Sequence, residues 1–248
     1  MTAALSISMV PMAEQRADIF NTTRWTLVLA AGGSDAKAKE TALAALCTTY
    51  WNPIFIYIRR RGYDAEQAKD LTQEFFGRLL EKDWLAGLSR EGSKFRAFLL
   101  VAVRRFLAVE YEHRTAIKRG GGAPPLALDG KELPEPASQD ETPEVAFDRT
   151  WALTVIERAL ERVRAESKAS GKDALFAQVA GFLAADPEPG AYDAVAHNLG
   201  ISRSAVAMAV HRLRLRLREQ VRAEVAETLS NHSQIEGEMQ ELLAALRR

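Results

Sequence analysis

Two stretches of this chain repeat cationic side chains at a spacing that suits a polyanion. When residues 94–118 are laid on a helix with Arg96 at zero, Arg104, Tyr111, Arg114 and Lys118 fall within about 80° of it. Arg105 adds a further cation in mid-stretch. Cations that track phosphates, with an interleaved ring on which a base can stack, suit a single nucleic-acid strand. A solvated basic face with a half-buried tyrosine accounts for the same pattern.

The second stretch is more specific in shape. Ala196, Gly200 and Val206 stand within Tyr192-Asp-Ala-Val-Ala-His-Asn-Leu-Gly-Ile-Ser-Arg-Ser-Ala-Val. A helix-turn-helix needs a small residue where its helices cross, a turn residue tolerant of positive φ, and an apolar anchor on the second helix. These three positions supply them. Ile201 is expected to plug the turn, and Ser202 or Ser204 to cap the second helix. With Val206 inward, Val210, Leu213 and Leu217 fall on the same side, while Ser204, Ala207, Met208, His211, Arg212 and Leu215 face outward. The candidate DNA contacts are Ser202, Arg203, Ser204, Met208, His211 and Arg212. An ordinary helical hairpin is the alternative.

A third pattern is acidic. Over residues 64–82, Ala68, Leu71, Phe75 and Leu79 form an apolar stripe, and Glu66, Asp70, Gln73, Glu74 and Glu81 share another face. Such a face is either solvated or a docking surface for a basic partner.

Catalytic chemistry finds little footing. His113, His197, His211 and His232 show no metal-ligand spacing with one another or with Cys47. Gly120-Gly121-Gly122 lacks the Gly-Lys-Ser/Thr ending of a phosphate loop, and no strand precedes it. No catalytic residue, metal site or cofactor is expected, and the chain is read as a non-enzyme.

The elements that must position these residues are helical. Apolar residues recur at i, i+3, i+4 and i+7 through most of the chain, and no period-two alternation stands out. Ser34 can cap a helix to about Tyr50. Pro53 then starts a second run, 54–61, ended by Gly62. Asp64 caps the acidic helix, and Ser93 the basic one. After the interruption come helices at 151–167, 173–184, 192–199 and 204–229, and an amphipathic tail helix at 234–246.

Five of the nine prolines lie between Pro124 and Pro143, beside the triple glycine. That stretch reads as a linker. The predicted architecture is all-α: two small helical domains joined by a Pro/Gly/acid-rich linker, the second containing a helix-turn-helix. The divisions are an N-terminal extension at 1–33, a first domain at 34–119, a flexible linker at 120–148, a second domain at 149–229 and a C-terminal helix at 230–248.

The 248 residues carry 33 Lys+Arg and 33 Asp+Glu, for no net charge, which taken as an average argues against a nucleic-acid binder. The average hides blocks. Residues 94–119 and 203–222 each carry +5, whereas 123–148 carry −6 and 64–83 carry −3. A single cysteine and no export or membrane segment fit a cytoplasmic protein.

Taken together, the acidic stripe, the basic aromatic helix, the acidic linker and the terminal helix-turn-helix resemble bacterial sigma factors of the two-domain extracytoplasmic-function type, within the sigma-70 family. The resemblance covers residues 43–119 and 151–225. Tyr63-Asp-Ala-Glu-Gln-Ala-Lys-Asp-Leu-Thr-Gln-Glu-Phe-Phe is similar to the part of those factors that docks on the β′ clamp helices of RNA polymerase. It implies polymerase binding by Glu66, Asp70, Gln73 and Glu74. Ser93-Lys-Phe-Arg-Ala-Phe-Leu-Leu-Val-Ala-Val-Arg-Arg-Phe is similar to the part that melts and reads the −10 element. It implies that Arg96, Arg104, Arg105, Tyr111, Arg114 and Lys118 hold the opened strand. Residues 192–218 resemble the part that reads the −35 element beside the polymerase β flap.

The implied partners are core polymerase and promoter DNA, with an anti-sigma factor or other regulator as a third. This chain departs from the family in three respects. Arg105 stands where the family often has Asn, and the loop at 83–92 is longer than usual. Ala207, Met208 and Ala209 replace residues that are commonly polar or basic, and side chains without donors cannot hydrogen-bond a base edge. Both ends are extended, through Thr22-Thr-Arg-Trp and through 234–248. Two other readings stay open: a stand-alone helix-turn-helix regulator, and a sigma-derived module that grips polymerase without reading promoters.

Overall fold

The computed structural model describes residues 36–81, 94–118, 141–185 and 187–247. They form eight α-helices: α1 Ala36–Arg60, α2 Ala65–Glu81, α3 Phe95–Lys118, α4 Pro143–Ala169, α5 Asp173–Val179, α6 Ala191–Leu199, α7 Arg203–Ala226 and α8 Ile235–Arg247. Two 3-10 turns, Ala180–Leu183 and His232–Gln234, continue α5 and precede α8. Among the described residues there is no strand, only an isolated antiparallel bridge between Lys94 and Leu229. The all-α class read from periodicity is the class observed.

Local signals account for most of the boundaries. Asp64 Oδ1 accepts from Gln67 N at 2.8 Å, and Gln67 Oε1 accepts from Asp64 N at 3.4 Å. This reciprocal cap satisfies two of the donors that a helix start leaves open. Gly62 (φ 92) turns the chain out of α1, and Gly200 (φ 64) turns it out of α6. Ser202, rather than Ser204, caps α7, its Oγ accepting from Ala205 N at 3.2 Å. The extension at 1–33, the loop at 83–92, Ser34, Ser93 and linker residues 120–140 lie outside the described residues.

Two of the boundary differences from the sequence reading change what is core. Pro53 does not divide α1, which runs unbroken to Arg60. Proline removes one helical hydrogen bond, while the turns on either side of it bury Thr49, Tyr50, Ile54, Tyr57 and Ile58. At about 1.5–3 kcal/mol per large buried apolar side chain, that burial exceeds one lost bond. The linker was also expected to reach residue 148, yet α4 begins at Pro143. Thr142 is its cap, accepting from Val145 N at 3.3 Å, and Pro143 occupies the first helical position, where its missing N–H costs nothing. Pro143, Ala146 and Phe147 are buried, so the final turn and a half of the predicted linker is core.

That core crosses the predicted division. Leu46, Tyr50 and Ile54 of α1, Leu71 and Phe75 of α2, and Phe95, Leu99 and Phe106 of α3 share one buried cluster with Phe147, Trp151 and Val155 of α4. Val221 and Val225 of α7 and Ile235, Leu242 and Ala245 of α8 join the same cluster. Aromatic edges interlock within it: Tyr50 meets Phe95 with ring centroids 5.1 Å apart at 79°. A smaller cluster of Val179, Val195, Ala196, Val206 and Val210 unites α5, α6 and the first half of α7. Helix α7 therefore belongs to both clusters, its first half to the small one and its last half to the large one.

Candidate functional site

Helix α2 presents its four expected docking residues together. Glu66, Asp70, Gln73 and Glu74 are all exposed, while Ala68, Leu71, Thr72, Phe75 and Phe76 are buried. The buried face fixes the rotation of the helix, and the rotation aims the acids outward. At its C-terminal end Arg78 bonds Glu110 of α3 at 2.7 Å and lies 5.1 Å from the centroid of the Phe106 ring, which ties α2 to α3.

Helix α3 does not leave all six of its expected contacts open to solvent. Arg104, Arg105 and Tyr111 are exposed, and of the side chains of Arg114 and Lys118, which lie beyond the described side chains, only the helical backbone is placed. Arg96 is buried, with 9% of its surface accessible. Its angle on the helix is also that of Val103 and Leu107, both buried, so the covered side of α3 is wider than the Phe95, Leu99, Ala102 and Phe106 stripe. Beyond that side, Val109 is 42% exposed and His113 is exposed as well.

Arg96 sits at the centre of an ion-pair cluster. Its Nε donates to Glu238 Oε1 at 2.9 Å, its two terminal nitrogens donate to Asp148 and to Glu241, and the guanidinium lies 4.5 Å from the centroid of the Trp151 ring. Lys94 Nζ adds contacts at 2.6 Å to Glu238 and 2.7 Å to Glu241. Burial disfavours the Arg96 cation, but the charges and hydrogen bonds of Glu238 and Asp148 outweigh it and raise its pKa. Burial likewise pushes Glu241 up, and Lys94 and Arg96 reverse the sign, holding its carboxyl below the ordinary value. A buried charge is tolerated only when its hydrogen bonds are met, and here three carboxylates accept them while the Trp151 ring face covers the guanidinium.

A second set of acids lies against the other cations of this face. Glu144, in the first turn of α4, takes Arg61 at 3.1 Å and Arg104 at 2.9 Å. Glu141 takes Arg60 and Arg149, each at 3.0 Å. Burial would raise the Glu144 carboxyl, but its own backbone N–H, Arg104 and Arg61 hold it low. Arg104 still exposes 57% of its side chain. Arg105 has no ion-pair partner among the described residues.

The α6–α7 segment matches its expected geometry at most positions. Val206 and Val210 are buried, Leu213 and Leu217 half-buried, and Ser204, Met208, His211, Arg212 and Leu215 exposed. Met208 is the most open of the large apolar side chains among the described residues, at 60%. Ile201 does not plug the turn; it is 37% exposed, and Val195 with Ala196 fills the crossing instead. Arg203 lies 3.5 Å from Asp193 of α6, both side chains largely in solvent.

Most arginines of α7 divide by position; Arg218, exposed and without an ion pair among the described residues, is the exception. Arg214 donates to the carbonyls of Phe182 and Ala185, closing the 3-10 turn after α5. Arg216 makes a two-pronged pair with Glu166 of α4, both bonds 2.7 Å, and Arg222 pairs with Glu236 of α8. Glu224, almost fully buried, is gripped by Arg158 and Arg162 of α4. Arg203 and Arg212, near the N-terminal end, are left facing solvent beside Ser204 and His211.

The partner acids Asp148, Glu238 and Glu241 were not singled out from sequence. The only local sign of them was the i, i+3 pair Glu238 and Glu241 on the tail helix. No group of three or more His, Cys, Asp or Glu side chains among the described residues is arranged to hold a metal ion. None of the described helices is long and apolar enough to cross a membrane. No family model matches the chain, and neither a curated protein nor a solved structure matches it.

Proposed function

We propose that this chain is a transcription-initiation factor of the extracytoplasmic-function sigma type, which binds core RNA polymerase and directs it to promoters without covalent chemistry of its own. The observation that carries the reading is the shared outward face of Glu66, Asp70, Gln73 and Glu74 on α2. A polymerase clamp helix of basic character would meet it by charge complementarity. Arg104, Arg105 and Tyr111 on α3 would touch the opened −10 strand, together with Arg114 and Lys118 of the same helix.

The pair α6 and α7 would act as the helix-turn-helix on the −35 duplex. Arg203, Ser204, His211 and Arg212 would supply polar contacts, with Ser202 fixing the helix start and Met208 reaching a thymine methyl. Arg96, buried among carboxylates, is closed to a strand while α8 is docked on it.

Co-purification with core polymerase tests this reading. The wild-type chain should associate, and Asp70→Lys with Glu74→Lys should abolish association while leaving the helical circular-dichroism spectrum unchanged. Absence of association, or association indifferent to those reversals, overturns it.

A second reading is a polymerase-binding module that does not read promoters. The withdrawal of Arg96 and the donor-free Met208 on the exposed face of α7 favour it. Reconstituted transcription separates the two, since the module would bind polymerase without yielding promoter-directed RNA.

A further inference from the structure

The acids of the C-terminal helix occupy the place where the nucleic-acid reading of α3 needs phosphates. Lys94 and Arg96 open the basic helix, and both are held by Glu238 and Glu241. A carboxylate and a phosphate oxygen are interchangeable acceptors for guanidinium and ammonium donors. We infer that α8 is an internal competitor for nucleic acid: its two carboxylates cap the N-terminal end of α3, and a bound strand displaces them. The inference deepens the proposed function and rests on its reading of α3 as a nucleic-acid helix.

The build of α8 suits an element that leaves as a unit. It spans 13 residues, Ile235–Arg247. A helix of that length is marginal by itself in water, so its order depends on docking through Ile235, Leu242 and Ala245. Its grip on α3 is graded: Glu238 is fully buried, but the Glu241 side chain is 50% exposed and stands where an incoming strand would first compete.

The test uses the full chain and a mixed-sequence single-stranded DNA dodecamer, with binding followed by fluorescence anisotropy at low salt. Glu241→Gln should bind about threefold or more tighter than wild type, because one intramolecular ion pair no longer opposes the strand. Glu241→Lys should gain more than Glu157→Lys, which makes the same charge change at an exposed site on α4. Adding Lys94→Gln should remove most of the gain. Hydrogen exchange of α8 amides should rise when the dodecamer binds, with α4 unchanged.

Equal affinities for wild type and Glu241→Gln, a Glu241→Lys gain no larger than the Glu157→Lys gain, a gain that survives Lys94→Gln, or unchanged exchange in α8 would each overturn the inference. The outcome is independent of polymerase. Unmasked DNA binding without polymerase association removes the sigma reading and keeps the competitor; polymerase association with flat DNA affinities does the reverse.

Discussion

Arg96 and Glu238 are joined by a 2.9 Å hydrogen bond across 142 residues of sequence, and both are buried. This pair links the start of α3 to α8 at the edge of the large core. The neighbouring backbone bond, Phe95 N to Thr228 O at 3.2 Å, ties the same end of α3 to the segment after α7. What sequence presents as a solvent-facing cation is a structural joint.

Breaking one side of that joint should be expensive. Glu238→Ala leaves Arg96 buried with less compensation, and it should lower unfolding free energy by about 3–5 kcal/mol in urea titration. Replacing both partners, Arg96→Met with Glu238→Leu, should cost less than Glu238→Ala alone. If the double variant is the less stable of the two, desolvation is not the controlling quantity.

Acid should loosen the same interfaces. The carboxyls of Glu144 and Glu241 lie below the ordinary value of 4.5 in the folded protein. A lowered folded pKa contributes stability that is fully present above 4.5 and is lost as pH falls through the folded value. The urea midpoint should therefore be flat from pH 7 to about 5 and drop below about 4.5. Glu144→Gln with Glu241→Gln should flatten the drop; an unchanged acid limb would assign it to other carboxylates.

Cys47 should be inert in the native state. Burial pushes its thiol up to about 12, and it is 9% accessible within the core. Iodoacetamide at pH 8 should leave it unmodified by mass spectrometry until denaturant is added. Native-state labelling within minutes would mean that α1 opens locally.

Gly200 isolates a backbone cost. A Cβ there would meet nothing within 4 Å, but φ is +64, so only the left-handed conformation penalises a side chain. Gly200→Ala should lower stability by about 1 kcal/mol, and Gly200→Asn by about half that, since asparagine tolerates the left-handed region. Equal losses for both would point to a steric cause.

The buried stripes of α2 and of the first half of α7 were legible because each helix covers one side with apolar residues and leaves the other polar. Asp64 and Gly62 were legible because caps act within four residues. Thr142-Pro143-Glu144 carried a start signal that proline crowding upstream obscured, and Pro53 a stop signal that burial overrode. Ile201 looked inward by residue type, but Val195 and Ala196 already fill the crossing.

By itself the sequence determined the helices, their caps and which side of most of them is apolar, because these depend on interactions within a few residues along the chain. It also set the charge blocks. Only the tertiary structure decided which cations remain open to a partner. A helical wheel gives the angle of Arg96 around α3, but whether α4 and α8 cover that angle depends on how distant helices share a core. The carboxylates that neutralise it, Asp148, Glu238 and Glu241, arrive only through that packing.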